Sequence, residues 1–196
     1  MLTAIGHNLT RVARFSGRDS RVQFWPYAVA LFGLAVAGMT MVFLPVMRDS
    51  MMRMQRFAAE HPGQAHIEQG PGHYSITIEG YHPELMPDLS GASYAFAVVV
   101  ALFVLLVAAS VARRLHDRDK SGLWGLLPLP FLAASFALFP VLSRSFSASE
   151  PDFGLFGLLF LNNLLYLAVL GYLILLLTGQ GTPGPNRFGP EPGRMD

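Results

Sequence analysis

The stretch Arg113–Gly122, RRLHDRDKSG, is the densest run of charge in the chain and lies between two long apolar segments. The segment before it covers about residues 92–112 and the one after it about residues 123–142, and neither contains a charged residue. A helix needs roughly 20 apolar residues to cross the hydrocarbon core of a bilayer. The sequence therefore predicts that Arg113–Gly122 is a short polar loop that joins two membrane spans.

Two further apolar runs are long enough to span a membrane. Residues 24–47 form a run of 24 residues without charge, and residues 153–177 form one of 25. The first run exceeds the apolar core of a cleaved signal peptide, which has about 7–15 residues. Only 14% of the chain is charged, whereas soluble domains carry roughly 25% charged residues. We therefore predict an all-α membrane protein, a transmembrane bundle of four helices.

The distribution of charge predicts the orientation of these spans. Ten of the fourteen Lys and Arg residues lie in the N-terminal segment, in Arg113–Gly122 and in the C-terminal tail, while the first loop holds six of the thirteen acids. Cytoplasmic loops are enriched in Lys and Arg, so both termini are expected in the cytoplasm and the first loop outside. The predicted parts are a cytoplasmic segment or helix (1–23), a membrane domain (24–178) with an outer loop (48–90), and a Gly- and Pro-rich cytoplasmic tail (179–196).

The composition limits the chemistry that the protein can perform. The absence of cysteine excludes disulfides and thiolate metal sites, and a net charge of +1 predicts no nucleic-acid partner. Four of the six histidines lie in the outer loop, at spacings that metal sites do not usually show. We interpret them as scattered solvated side chains rather than a metal site, and we expect no cofactor. These four are His61, His66, His73 and His82.

A capping pattern precedes the first span. Ser16 and Asp19 are three residues apart just before an apolar run, which is typical of a capping box. Ser16 is therefore predicted to be the N-cap of a helix. Such a helix would carry Arg18, Arg21 and Trp25 on one face, because these residues are three and four positions apart.

Three other patterns predict local structure. The first helix is expected to continue out of the membrane as an amphipathic extension that ends at Pro62-Gly63. Tyr74–Gly80 alternates apolar and polar residues, which indicates a short hairpin or edge strand. Pro128 and Pro130 fall in the first third of the third span and predict a kink or a loosened turn there.

Four segments, taken in their order and spacing, resemble the DUF805 family of small bacterial inner-membrane proteins. The resemblance covers the chain from Phe15 to about Pro190. It implies a multi-pass protein of the bacterial inner (plasma) membrane with four helices, and it implies no activity. Where members of the family usually carry two aromatic residues after Ser-Gly, this chain has Leu123-Trp124. The segments are FSGR followed by Arg21 and Phe24-Trp25, then RRLHD, KSGLWGLLPL and GTPGPNRFG.

All four segments are expected on the cytoplasmic side, where they can meet. On a continuous helix Arg113 would pair with Asp117, and Arg114 would project beside Arg118, since each pair is four residues apart. Ser121 is predicted to cap the third helix. Such a cluster suits an anionic lipid headgroup or an acidic segment of a partner, although a purely structural ion network is the favoured interpretation. Its candidate members are Arg18, Arg21, Arg113, Arg114, His116, Asp117, Lys120, Asn186 and Arg187.

Two other classes of function remain open at this stage. A lipid-modifying enzyme would need His116 and Asp117 as an acid–base pair, but neighbours on a helix point about 100° apart, so no catalytic residue is predicted. A transporter or channel subunit would use Asn162 and Asn163, the polar residues well inside the fourth span, which we interpret as interhelical hydrogen-bonding groups. The bilayer, anionic phospholipid, and a second copy or another membrane protein are the partners considered.

Overall fold

The computed structural model describes residues 1–85, 87, 89–146 and 152–193. The predicted polar link between the third and fourth spans at 147–151 and the end of the tail at 194–196 lie outside the described residues. The elements in chain order are α1 (Leu2–Leu9), α2 (Arg21–Glu60), β1 (Ala65–Gly70), β2 (His73–Ile78), α3 (Ser90–Asp117), α4 (Leu129–Phe146) and α5 (Phe153–Thr178). Short 3₁₀ helices occupy Pro83–Leu85 and Gly122–Leu126.

Four segments of this helical fold are long and apolar enough to cross a membrane, which confirms the number of spans predicted from the sequence. They are α2, α3, the Gly122–Ser145 segment and α5. Helix α2 packs against α3, α4 packs against α5, and α3 also contacts both α4 and α5. Helix α1 lies against α2 outside the four spans.

The first long helix begins later than the sequence pattern indicated. Ser20, not Ser16, is the N-cap: its side chain accepts a hydrogen bond from the Gln23 backbone, and the Gln23 side chain accepts one from the Ser20 backbone at 2.8 Å. Gly17 has φ +97°, which a right-handed helix does not allow. Arg18 therefore precedes the helix, and the predicted shared face of Arg18, Arg21 and Trp25 is wrong.

Helix α2 extends far beyond its apolar run. Its 40 residues span about 60 Å, roughly twice the hydrocarbon thickness of a bilayer. The helix ends at Glu60, just before the predicted stop at Pro62-Gly63. Strands β1 and β2 form an antiparallel hairpin beside it, with Ala65 opposite Ile78 and Gly70 opposite His73. The strand expected near Tyr74 is thus one arm of a hairpin.

The histidines at the end of α2 and in the hairpin region make local contacts. His61 stacks on Phe57 with ring centroids 4.4 Å apart. His66 lies 3.4 Å from the Glu79 carboxylate, and His82 lies 3.0 Å from that of Glu84. Within the described residues, no three His, Asp or Glu side chains are grouped as a metal ion would need.

The third span starts with a 3₁₀ helix that rests on α3. Ser121 caps it by accepting a hydrogen bond from the Leu123 backbone. Residues three apart eclipse one another on a 3₁₀ helix, so Gly122 and Gly125 face the same side. A Cβ at Gly122 would lie 2.9 Å from the Ala112 Cβ, and one at Gly125 would lie 2.9 Å from Val111 Cγ1. Both glycines therefore allow a close approach to α3, and regular α-helix begins only at Leu129.

Polar contacts also connect the spanning helices. The Tyr27 hydroxyl donates to the Leu106 carbonyl at 2.9 Å and joins α2 to α3. Asn162 Nδ2 donates to the Phe131 carbonyl at 3.0 Å and to Ser135 Oγ at 2.9 Å, which joins α5 to α4. A buried apolar cluster lies where α2 begins and where α3 and α5 end. It consists of Phe24, Leu115, Leu173, Leu176 and Leu177.

Candidate functional site

Asp117, the last residue of α3, is the centre of a buried ion network at this end of the bundle. Its Oδ1 accepts hydrogen bonds from Arg18 Nε at 3.1 Å and from Arg18 Nη2 at 2.9 Å. Its Oδ2 accepts one from Arg114 Nη1. The side chains of Arg18, Asp117 and Arg114 are 1%, 5% and 0% exposed. A single carboxylate therefore pairs with two guanidinium groups, and all three groups are buried.

A second buried pair, Asp19 and Arg113, connects the N-terminal segment to α3. Arg113 Nε donates to Asp19 Oδ2 at 2.7 Å, and the Asp19 backbone N–H donates to the Arg113 carbonyl at 3.1 Å. Arg113 also donates to Asn8 Oδ1 at 2.7 Å and to the carbonyls of Arg11 and Arg14. Each of the three nitrogens of this guanidinium therefore donates to a residue that precedes α2.

This arrangement corrects the predicted pairing along α3. Arg113 does not pair with Asp117, because its guanidinium is directed to Asp19 in the N-terminal segment. The partner of Asp117 on its own helix is Arg114, three residues away. We call Arg18, Asp19, Arg113, Arg114 and Asp117 the ion network, and the part of the bundle that holds it the network end.

Arg114 and Arg118 bind the last turn of α5. Arg114 Nε donates to the Leu177 carbonyl at 2.9 Å, and its Nη2 donates to the Gly179 carbonyl. Arg118 Nη1 donates to the Leu176 carbonyl at 2.7 Å. The final carbonyls of a helix lack intrahelical partners and carry the negative end of its dipole. The two arginines therefore satisfy these carbonyls and complement their charge.

Arg18 holds the C-terminal tail against the end of α3. Its Nη2 donates to the Thr182 carbonyl at 2.6 Å and its Nη1 donates to the Gly184 carbonyl at 2.7 Å. The Thr182 N–H in turn donates to the Asp117 carbonyl at 2.8 Å. A Cβ at Gly181 would overlap the Asp117 carboxylate. Glycine is therefore required where the tail crosses the ion network.

His116 is engaged in packing rather than in proton transfer with its neighbour. Its Nδ1 lies 3.1 Å from the Gly17 carbonyl, and its ring stacks on Phe188 with centroids 3.9 Å apart and planes 4° apart. Asn186 Nδ2 donates to the His116 carbonyl at 2.9 Å. The Asp117 carboxylate is occupied by arginines, so the two residues do not form a catalytic dyad.

Three of the predicted members lie outside the group of residues that make these contacts. Arg21 is exposed and Lys120 is half-buried, and among the described residues neither has an ion-pair partner. Arg187 is exposed and pairs with Asp119 at 3.1 Å. The structure thus brings together six of the nine members: Arg18, Arg113, Arg114, His116, Asp117 and Asn186.

Sequence reasoning missed several residues of the site. The capping pattern places Asp19 in the first turn of a helix. An acid among the arginines of the N-terminal segment also indicates an ion pair, and that signal could have identified Asp19. Phe188 and Thr182 lie in the tail motif, but nothing in the sequence indicates that they contact His116 and Asp117. Asn8 lies in α1, which no pattern singled out.

The comparisons with known proteins identify the family of this chain. No curated protein and no solved structure matches the chain. A family model described as "Protein of unknown function (DUF805)" matches residues 12–190. The matched range contains all five residues of the ion network and the tail that Arg18 holds. The chain therefore belongs to the DUF805 family.

Proposed function

We propose that this is a non-enzymatic protein of the bacterial inner membrane whose network end faces the cytoplasm and binds anionic phospholipid headgroups. The observation that carries the proposal is an excess of unpaired positive charge around the buried ion network. The network itself is not the binding group, because its guanidinium nitrogens are used by two carboxylates and by backbone carbonyls.

The charge excess is confined to one end of the bundle. The described residues of the N-terminal segment, the 113–122 loop and the tail include nine Lys or Arg against four Asp or Glu. The described residues of the opposite end, in 48–89 and 143–152, include four Lys or Arg against six Asp or Glu. Five cations of the network end have no acidic partner among the described residues: Arg11, Arg14, Arg21, Arg118 and Lys120.

Arg21 and Arg118 are the members of this set best placed to meet a headgroup. Both are close enough to Arg114 to repel its guanidinium electrostatically. Arg21 opens α2, and Arg118 follows α3 and reaches the last turn of α5. Each lies at an end of a spanning helix, where a headgroup would be met, and a phosphate bound beside either one would offset its repulsion of Arg114.

The test is a lipid titration of the Arg21→Gln/Arg118→Gln protein followed by native mass spectrometry. A cation near the membrane surface contributes about 1 kcal/mol to the attraction of anionic lipid. We therefore expect phosphatidylglycerol to bind the double variant roughly 10- to 30-fold more weakly than the unaltered protein. Phosphatidylcholine binding should not change.

Arg48→Gln/Arg56→Gln is the matched control, because these arginines are exposed at the opposite end. It should retain the preference for phosphatidylglycerol. Equal losses in the two double variants, or no preference for phosphatidylglycerol in the unaltered protein, would contradict headgroup binding. An acidic segment of a protein partner would then be the better match for these five cations.

A further inference from the structure

A cavity lies between the spanning helices at the end of the bundle opposite to the ion network. Its volume is about 330 Å³, within the range of small-molecule sites. All four spans contribute to its walls, which are lined by Phe43 of α2, Ser93 and Phe96 of α3, Ser135, Phe136 and Phe139 of α4, and Leu159 and Asn163 of α5, with Leu89 at its edge.

From this cavity we infer a binding site for a membrane-dissolved molecule with a flat aromatic or quinonoid ring. The site is independent of the headgroup proposal, because it involves neither the ion network nor the five cations without an acidic partner. Four of the nine lining residues are phenylalanines. Aromatic side chains pack on a flat ring in stacked or edge-to-face geometry, whereas an acyl chain requires only an apolar surface.

Asn163 supplies a hydrogen-bonding group at a depth where few membrane molecules are polar. It is ten residues after Phe153, the start of α5, which puts it about 15 Å below that end of the helix. Its Nδ2 donates to the Leu159 carbonyl at 2.8 Å. Among the described residues no donor reaches its Oδ1, and an unpaired polar atom in hydrocarbon is costly.

The polar groups of the cavity match a ring that carries oxygen atoms. Asn163 has a free oxygen and a second amide hydrogen, so it can accept from a hydroxyl or donate to a carbonyl. Ser135 is satisfied by Phe131 and Asn162. Asn163 is exposed as well as cavity-lining, so a molecule dissolved in the bilayer can reach this group. The headgroup of a lipid remains at the membrane surface and cannot reach Asn163. The oxygen that meets Asn163 must therefore be carried by the ring.

The probe is a decyl-substituted hydroquinone, whose ring hydroxyl can donate to Asn163 Oδ1. It is titrated into the protein in nanodiscs of phosphatidylcholine and phosphatidylglycerol and detected by native mass spectrometry. Saturable binding of one molecule to the unaltered protein is expected. Leu159→Phe fills the cavity and should weaken binding at least 10-fold. Asn163→Leu removes the hydrogen-bonding group and should weaken it about 3- to 30-fold. If Leu159→Phe does not fold, the binding measured for Asn163→Leu still tests the proposal.

Leu158→Phe is the matched control, since Leu158 is exposed on the same helix and does not line the cavity. It should bind the hydroquinone as the unaltered protein does. The second probe is decan-1-ol, which has the same tail length without the ring. Equal binding of the two probes would assign the cavity to an acyl chain and overturn the inference. Absence of saturable hydroquinone binding, or equal loss in Leu158→Phe, would overturn it as well.

Discussion

Asp117→Asn should lower the free energy of unfolding by about 3–5 kcal/mol, the cost of removing one partner of a buried ion pair. The substitution conserves size but leaves Arg18 and Arg114 as buried guanidinium groups without their shared carboxylate. The Arg18 and Arg114 side chains are 1% and 0% exposed, so water cannot replace the lost charge. Equilibrium unfolding in detergent micelles measures the change.

Asp119→Asn is the control for this prediction, because it removes an acid two residues away that pairs at the surface. The Arg187 and Asp119 side chains are 63% and 47% exposed, and an exposed pair contributes at most about 1 kcal/mol. We expect little change in that variant. Similar small losses in the two variants would show that the ion network does not stabilise the network end.

Arg18→Gln should release the C-terminal tail while leaving the four spans in place. Arg18 is the side chain that binds both Asp117 and the carbonyls of Thr182 and Gly184. Glutamine is shorter, lacks charge and cannot make these contacts together. If the loss again amounts to about 3–5 kcal/mol, local opening of the tail becomes roughly 10²- to 5 × 10³-fold more frequent.

Hydrogen exchange reports this opening directly. The backbone amides of Thr182, Asn186 and Gly189 are hydrogen-bonded in the folded tail, so their exchange should accelerate. Arg187→Gln serves as the comparison because Arg187 lies in the same tail but makes a surface ion pair. Its exchange should remain close to that of the unaltered protein. Unchanged protection of Thr182 in Arg18→Gln would contradict the role given to Arg18.

The number of helices long and apolar enough to span a membrane could be predicted from the sequence, because length and hydropathy alone decide it. The hairpin near Tyr74 could also be predicted, because the alternation of apolar and polar residues that indicates a strand is a local pattern. The start of α2 could not be predicted, because both Ser16 and Ser20 fit a capping pattern. The choice depends on Gly17, whose positive φ ends any helix that would include it.

The pairing within the network end could not be predicted, because each partner comes from a distant part of the chain. Asp19 and Arg113 are 94 residues apart, and Arg18 and Asp117 are 99 apart. A helix-spacing rule considers only partners on the same helix, so it assigned Asp117 to Arg113. The need for glycine at position 181 likewise follows from where Asp117 lies, which the Gly- and Pro-rich composition of the tail does not reveal.

The proposed function depends on the network end facing the cytoplasm, and cysteine accessibility tests this orientation most directly. The chain has no cysteine, so a single substitution gives an unambiguous label. Ser16→Cys reports the exposed N-terminal segment at the network end, and Thr77→Cys reports the exposed hairpin at the other. In intact spheroplasts, a membrane-impermeant maleimide should label Thr77→Cys but should reach Ser16→Cys only after the membrane is disrupted. Labelling of Ser16→Cys in intact spheroplasts, with Thr77→Cys protected, would contradict the account.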